Sequence, residues 1–183
     1  MKIRIDKFHA IKERYSEFYE KNFYAKGKGA VFDTAKGTWG PAGTQDVYEL
    51  FVKIKLQDYK NFLDLGSGDG KVVLIASLFT NATGIEIDEK LIKVGEKIKK
   101  NLNLNKAKFI HGDYLKQDTS KYDFIFINPD QGFHKGIEDK LIKEMNKDAV
   151  LFVYNKIFQP RFLKKGKTYW FDGIPIMKYT KSD

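Results

Sequence analysis

The fold is decided by the stretch FLDLGSGDGKVVL, residues 62–74. Its first four residues, Phe62–Leu65, predict a buried strand, and the apolar spacing from Val72 onwards predicts a helix. The glycines between them allow the backbone to turn tightly and to approach a ligand without an intervening Cβ. In an open α/β sheet, a turn of this kind between strand and helix is where a nucleotide-type cofactor binds. We therefore predict a cofactor-binding loop at Asp64–Gly70.

Beyond this loop, short apolar runs alternate with segments of helical periodicity. The further predicted strands are Thr83–Ile87, Ala107–Ile110, Phe124–Ile127 and Ala149–Tyr154. The predicted helices between them run through Val72–Phe79, Leu91–Leu102 and Ile137–Met145. This alternation predicts an α/β fold with a parallel, doubly wound sheet. Four successive apolar residues in the fourth strand also indicate that both of its faces are buried.

The end of the chain carries a different pattern. Two apolar segments, Tyr169–Phe171 and Ile174–Tyr179, flank the dipeptide Asp172-Gly173. Because Asp-Gly is a strong signal for a tight hairpin turn, these segments predict a C-terminal antiparallel hairpin. Its two strands and the five upstream strands would make a mainly parallel, seven-stranded sheet.

The first 43 residues are expected to form an N-terminal extension of a single domain that spans residues 1–183, with its core in residues 44–183. Apolar residues at spacings of three and four predict an amphipathic helix over residues 5–23. The glycine-rich stretch Lys26–Gly43 predicts a long loop, which is either a functional lid or merely mobile. Thr44 could then cap the next helix.

Two residues of the glycine-rich motif indicate which cofactor it binds. A dinucleotide-binding motif would have its third glycine at the position of Lys71, where the helix N-terminus holds a pyrophosphate. Asp64 precedes the first glycine, and its carboxylate would repel a diphosphate. The same carboxylate suits a ligand with an ammonium and a sulfonium group, and S-adenosylmethionine has both. The motif therefore favours S-adenosylmethionine.

Glu86 lies about 20 residues beyond the glycine motif, at the end of the second predicted strand. A carboxylate at this position can accept hydrogen bonds from both hydroxyls of a ribose. Asp88 follows two residues later and has two possible roles. We favour a role as the N-cap of the next helix over a second contact to the ribose.

Four segments, FLDLGSGDGKVVL, GIEID, HGDYL and YDFIFINPD, resemble in this order the motifs of class I, Rossmann-like, seven-strand S-adenosylmethionine-dependent methyltransferases. The resemblance covers roughly residues 40–155. It implies that Asp113 contacts the adenine amine and that Tyr114 packs on the adenine ring, although Asp113 could also be an ordinary turn residue. The full set of cofactor-binding residues that we predict is Asp64, Gly66, Ser67, Gly68, Gly70, Glu86, Ile87, Asp113 and Tyr114.

The small size of the chain and its motif DLGSGDGKVV also resemble compact archaeal proteins that are similar to seven-strand protein-lysine methyltransferases. In that comparison, Gly40–Thr44 would match a loop of the family that bears threonine and proline and precedes the first core helix. The match is imperfect, so it leaves the role of Thr44 open.

Asn128, Pro129 and Asp130 follow the fourth predicted strand, where a methyl acceptor is expected. Nucleic-acid amino-methyltransferases carry a second proline and an aromatic residue here, and this chain has neither. Asn128 could still orient an amine, and Asp130 and Asp69 are expected to place carboxylates beside a cationic lysine. The alternative is a simple turn, since Asn-Pro often begins one.

The composition restricts the remaining possibilities. The chain has no cysteine, and its three scattered histidines do not suggest a metal site. The sequence predicts no signal peptide and no membrane span, so we expect a cytoplasmic protein. It indicates no oligomeric state.

The net charge of +9 favours an acidic partner such as RNA, although solvated lysines at the surface would give the same charge. Two stretches, Tyr24–Trp39 and Lys156–Trp170, combine basic and aromatic residues and could receive a macromolecular substrate. We expect methylation of a protein lysine slightly ahead of an RNA base. A third possibility is an inactive methyltransferase fold that serves as an RNA-binding module.

Overall fold

The computed structural model of the chain describes residues 2–34 and 37–182. Its helices are α1 (Lys2–Asn22), α2 (Thr44–Lys53), α3 (Lys71–Ala76), α4 (Glu89–Asn101) and α5 (Ile137–Glu144). Its strands are β1 (Phe32–Thr34), β2 (Gly37–Trp39), β3 (Asn61–Leu65), β4 (Asn81–Glu86), β5 (Ala107–His111), β6 (Phe124–Ile127), β7 (Val150–Tyr154), β8 (Lys164–Phe171) and β9 (Ile174–Thr180).

The main sheet has seven strands in the order β5-β4-β3-β6-β7-β9-β8. Strands β3 to β7 are parallel, whereas β9 pairs antiparallel with both β7 and β8. The predicted doubly wound sheet and its C-terminal hairpin are therefore confirmed. The chain builds one half of the sheet outward from β3 and then returns to place β6 on the other side of β3. This reversal creates the crevice in which ligands bind in open α/β sheets.

The apolar side chains of the parallel strands point alternately to the two faces of the sheet. On one face, phenylalanines of β3, β6 and β7 form a row, and the rings of Phe124 and Phe152 stack with centroids 4.8 Å apart. On the other face, Leu63, Ile125 and Leu151 pack with residues of α5. Helices cover both faces, which is why β6 and β7 are continuous apolar runs.

The structure differs from the prediction of a long loop at Lys26–Gly43. It contains the short antiparallel strands β1 and β2, although residues 35 and 36 of the loop lie outside the described part of the chain. Thr44 is the first residue of α2 rather than its cap. The N-cap is Gly43, whose N–H donates to the Tyr154 hydroxyl at 2.9 Å.

Two local predictions about turns and caps are confirmed. Asp88 is the N-cap of α4, and its carboxylate accepts a hydrogen bond from the Lys90 N–H at 2.8 Å. Asp172 and Gly173 connect β8 to β9 with positive φ angles of 44° and 80°. Two positive φ values are what a tight type I′ hairpin turn requires.

Candidate active site

A cavity of about 580 Å³ lies at the carboxyl ends of the parallel strands, on the side where β3 meets β6. Its volume is within the range of small-molecule sites, roughly 300–1,000 Å³. The β1–β2 hairpin, α3 and the segments after β4 to β7 complete its walls. The cavity is lined by every predicted site residue except Gly70, namely Asp64, Gly66, Ser67, Gly68, Glu86, Ile87, Asp113, Tyr114, Asn128, Pro129 and Asp130.

Gly70 lies behind the glycine-rich loop instead, where it is the N-cap of α3 with φ = +82°. A Cβ at this position would lie about 2.5 Å from two carbons of the Phe109 ring and 3.3 Å from the Cα of Gly95. Gly70 therefore allows α3, α4 and β5 to pack closely. It contributes to the packing behind the site rather than to the surface that faces a ligand.

We expect Gly70→Ala to lower the free energy of unfolding by about 2–4 kcal/mol, from backbone strain and from the overlap with Phe109. The matched control is Gly136→Ala, because Gly136 also precedes a helix with positive φ but has open space around it. Chemical denaturation gives the free energy of unfolding of both variants. The loss in Gly136→Ala reports backbone strain alone, and the additional loss in Gly70→Ala reports the overlap with Phe109. Equal losses in the two variants would contradict the packing role of Gly70.

Glu86 joins the glycine-rich loop to the end of β4. Its Oε2 accepts a hydrogen bond from the Gly68 N–H, and its Oε1 accepts from the N–H groups of Ile87 and Asp88, each at 2.8 Å. A carboxylate has about four accepting positions, so roughly one remains, on Oε2. Glu86 could therefore accept one ribose hydroxyl, where we had expected two. Its three backbone contacts give it a second role, which is to hold the loop in place.

Asp64 contributes a buried carboxylate to the same cavity. It is 3% exposed, and its carboxylate makes no hydrogen bond with any residue that the structure describes. Burial raises the pKa of Asp64 well above its usual 3.8, and repulsion from Glu86 and Asp69 raises it further. A cationic ligand would relieve both effects, because it would compensate the charge where water cannot.

We expect the affinity for S-adenosylmethionine to fall as the pH is lowered, because Asp64 must be ionised to attract a cation. In the free protein the raised pKa of Asp64 means that the folded state retains this proton above pH 3.8. A bound cation lowers that pKa, so binding releases a proton in the interval between the two values. Calorimetry in buffers of different ionisation enthalpy measures this release, and Asp64→Asn should abolish it. Unchanged proton release in that variant would assign the titration to another group.

Helix α1 packs behind the glycine-rich loop and contributes none of the described residues that line the cavity. The Tyr19 hydroxyl donates to Asp69 Oδ2 at 2.6 Å, and the Tyr15 hydroxyl donates to the Asp69 carbonyl at 2.7 Å. We expected Asp69 to present a carboxylate at the acceptor mouth, but its side chain is buried and already bonded. Asp69 instead fixes the N-terminal helix against the cofactor loop.

Asp113 and Tyr114 lie where β5 ends. Asp113 Oδ1 accepts a hydrogen bond from the Leu115 N–H at 2.9 Å, which leaves its second oxygen without a bond to a described residue. The Tyr114 ring lies beside Gly66, and its hydroxyl accepts a hydrogen bond from Gln131 at 3.1 Å. Asp113 is thus a turn residue that could also accept from an amine. Tyr114 spans the distance between the cofactor loop and the segment after β6.

Asn128 lies in a chain of hydrogen bonds at the end of β6. Its Nδ2 donates to the Gly40 carbonyl at 3.1 Å, and its Oδ1 accepts from Asn155 Nδ2 at 2.7 Å. Asp130 is exposed, and its Oδ2 accepts from the Thr38 N–H at 3.0 Å. The acceptor segment and the β1–β2 hairpin therefore hold each other in position.

Several residues that line the cavity were absent from the predicted set. Asn155 follows β7 as Asn128 follows β6, so the shared edge of parallel strands was a signal that could have indicated it. Trp39 packs on Gly68, where the indole occupies the space of a side chain. Lys71 also lines the cavity, although the sequence had indicated only that it breaks a dinucleotide motif.

The residues of the cavity fit S-adenosylmethionine by their charges and their shape. Asp64 and Glu86 would face its positive groups, and the positive φ of Gly66 and Gly68 keeps side chains out of the loop. Ser67 Oγ is buried against Gly84 and has no hydrogen-bond partner among the described residues.

The described residues contain neither a metal-binding cluster nor a helix suited to span a membrane. No group of three or more histidine, aspartate or glutamate side chains in residues 2–34 and 37–182 could hold a metal ion. In the same ranges, none of the helices has the length and apolar character that crossing a membrane requires.

Comparison with known proteins assigns the family. The sequence model for the methyltransferase domain matches residues 56–170. An Arabidopsis thaliana protein that carries the name of a caffeoyl-CoA O-methyltransferase is 28% identical over an alignment of 120 positions, which covers 60% of this chain and 52% of that protein. The chain thus spans about half the length of this curated relative.

Solved structures share the fold. An RNA methyltransferase from Salinibacter ruber, in complex with S-adenosyl-L-homocysteine, superposes with a TM-score of 0.70 at 20% identity, over 79% of this chain and 95% of that one. A precorrin-6y C5,15-methyltransferase from Geobacter metallireducens gives 0.60 at 15% identity, over 82% and 94%. The chain belongs to the methyltransferase domain family and has the class I, S-adenosylmethionine-dependent methyltransferase fold.

Proposed function

We propose that this protein transfers the methyl group of S-adenosylmethionine to a nitrogen atom of a macromolecule, and that a protein lysine is the favoured acceptor. The observation that carries the proposal is the position of Asn128. Its amide is held at the cavity by Gly40 and Asn155, beside the exposed carboxylate of Asp130. An amide oxygen and a carboxylate next to the cofactor loop are suited to orient an amine.

The cofactor would be held by the residues of the strand ends. Asp64 would face its positive groups, Glu86 would accept from the ribose, and Asp113 and Tyr114 would contact the adenine. When bound, S-adenosylmethionine supplies a methyl group on a sulfonium that is already activated for in-line displacement. The protein would therefore act mainly by aligning the acceptor and excluding water.

A lysine acceptor is favoured by local charge. Asp130 is exposed where the cavity opens, and a carboxylate there attracts an ammonium and repels a phosphate backbone. The net charge of +9 acts in the opposite direction, but exposed charges are screened over about 8 Å at physiological salt. The resemblance to small archaeal protein-lysine methyltransferases supports the same acceptor.

An RNA base is the second candidate, and the observation that favours it is the aromatic lining of the cavity. Phe158 lies in the segment after β7 and lines the cavity, so its ring offers a surface on which a base could stack. Exposed basic residues follow, with Arg161 in the same segment and Lys164 and Lys165 at the start of β8. The structural neighbour from Salinibacter ruber is itself an RNA methyltransferase.

Two measurements test the proposal. Titration calorimetry with S-adenosylmethionine and with NAD should give binding of the first alone, and the reverse result would contradict the proposed cofactor. Transfer of labelled methyl groups to a cell extract should then leave protease-sensitive label. Label that only a nuclease removes would favour RNA, and cofactor binding without any labelled product would favour an inactive RNA-binding module.

The domain boundaries are part of the same proposal. Residues 44–183 would form the catalytic core, and residues 1–43 would cover it as an extension, in line with the contacts of Tyr19 and Trp39 on the cofactor loop. A cytoplasmic site of action is a further element of the proposal.

A further inference from the structure

Lys71 is a buried cation in the wall of the cavity. It is the first residue of α3 and is only 4% exposed. Its Nζ lies over the Tyr19 ring, 4.8 Å from the centroid, and 5.9 Å from the centroid of the Tyr15 ring. Its Nζ donates no hydrogen bond to a described residue and forms no ion pair within 4.0 Å with one. Lys71 is therefore held by aromatic faces and lacks an anionic partner.

A buried ammonium without an anion is costly, so its setting requires an explanation. Asp69 is the closest candidate for a partner, but its carboxylate accepts hydrogen bonds from the Tyr19 hydroxyl and from the Lys71 N–H of the backbone. Burial lowers the pKa of Lys71, while the charges of Asp69 and Asp46 raise it. These carboxylates favour the charged form without forming a bond to the ammonium.

The charges along the cavity wall are unevenly distributed. The acidic residues that line it are Asp64, Asp69, Glu86, Asp113 and Asp130, and Lys71 is the only lysine, arginine or histidine among the described residues of the lining. A free phosphate group would meet mostly carboxylates here. A zwitterion would instead find one cation and several anions, which matches an amino acid with its ammonium and its carboxylate.

We propose that Lys71 binds the carboxylate of the methionyl chain of the cofactor. This inference rests on the proposed function and deepens it, because it assigns the one negative group of the cofactor to the one cation in the described part of the cavity wall. Tyr15 and Tyr19 hold the ammonium in position without consuming its hydrogen bonds, so α1 would support the cofactor site from behind. The three N–H donors of the ammonium are then available to the ligand.

The test compares two ligands that differ in one group, S-adenosylhomocysteine and its decarboxylated analogue, by titration calorimetry. The wild-type protein should bind the carboxylate-bearing ligand about 10- to 100-fold more tightly, as for a hydrogen-bonded pair of charges. Lys71→Met fills the same space without the charge and should bind both ligands with similar, weak affinity. Lys71→Arg should keep part of the preference.

The outcomes separate this inference from the proposed function. Wild-type protein that binds neither ligand would contradict the proposed cofactor and the role of Lys71 together. Wild-type protein that binds both ligands equally would overturn the role of Lys71 and leave the cofactor supported. The wild-type comparison decides the matter even if Lys71→Met does not fold, and in a folded Lys71→Met variant a full preference for the carboxylate would also overturn it.

Discussion

Glu86→Ala is expected to weaken the binding of S-adenosylhomocysteine by about 100-fold. The variant loses a charged acceptor for the ribose, which contributes about 1.5–3 kcal/mol. It also leaves the Gly68 N–H without its 2.8 Å bond, so the glycine-rich loop is free to move away from the end of β4. Titration calorimetry measures the loss of affinity, and amide hydrogen exchange at Gly68 reports the loosened loop.

Asp88→Ala is the matched control for this prediction, because it removes a carboxylate two residues further along the chain. Asp88 caps α4 by accepting from Lys90, so its loss should cost about 1 kcal/mol of stability. The affinity for S-adenosylhomocysteine should stay close to that of the wild type. If the two variants lost equal affinity, Asp88 would contact the ribose as well as Glu86.

The seven-stranded sheet could be predicted from the sequence because its signals are local. Phe124–Ile127 is apolar at every position, and the strand is buried on both faces in the structure. Asp172-Gly173 marks the hairpin turn by backbone preference alone. Such signals depend on the residues themselves and on their neighbours in sequence, so they can be recognised without knowledge of tertiary contacts.

The β1–β2 hairpin could not be predicted in the same way. Its strands are only three residues long, and they lie in a glycine-rich segment that indicates a loop. What positions the hairpin is distant in sequence: the Thr38 N–H bonds to Asp130, and Trp39 packs on Gly68. A short two-stranded ribbon is marginal alone, so these contacts decide its structure.

In the candidate site, too, the sequence predicts the features with local signals and misses those that depend on distant contacts. The sequence places Asp64, Glu86 and Asn128 at strand ends, and parallel strands bring these ends together. It does not reveal that Glu86 uses most of its accepting positions on backbone amides. Nor does it reveal the setting of Lys71, because the tyrosines that enclose the ammonium come from α1, more than 50 residues earlier. Roles that depend on such long-range contacts require the structure.

Asn128→Ala is expected to lower the rate of methyl transfer by about 100-fold and to leave the affinity for S-adenosylhomocysteine unchanged. The amide lies at the acceptor side of the cavity, where a misplacement of about 1 Å is enough to reduce a rate by that factor. The variant also loses the bond to Gly40, so the hairpin is less firmly held. Asn155→Ala should have a smaller effect, because it removes only the bond that orients the Asn128 oxygen.

Asn61→Ala is the matched control, since Asn61 also donates to a backbone carbonyl but lies at the opposite end of the sheet, where β3 begins. Labelled transfer to the acceptor fraction of a cell extract, measured with saturating cofactor, gives the rates of all three variants. An effect on the rate alone assigns Asn128 to acceptor alignment rather than to cofactor binding. If Asn128→Ala transferred methyl groups as fast as Asn61→Ala, the acceptor would bind elsewhere in the cavity, and the argument for a lysine beside Asp130 would fail with it.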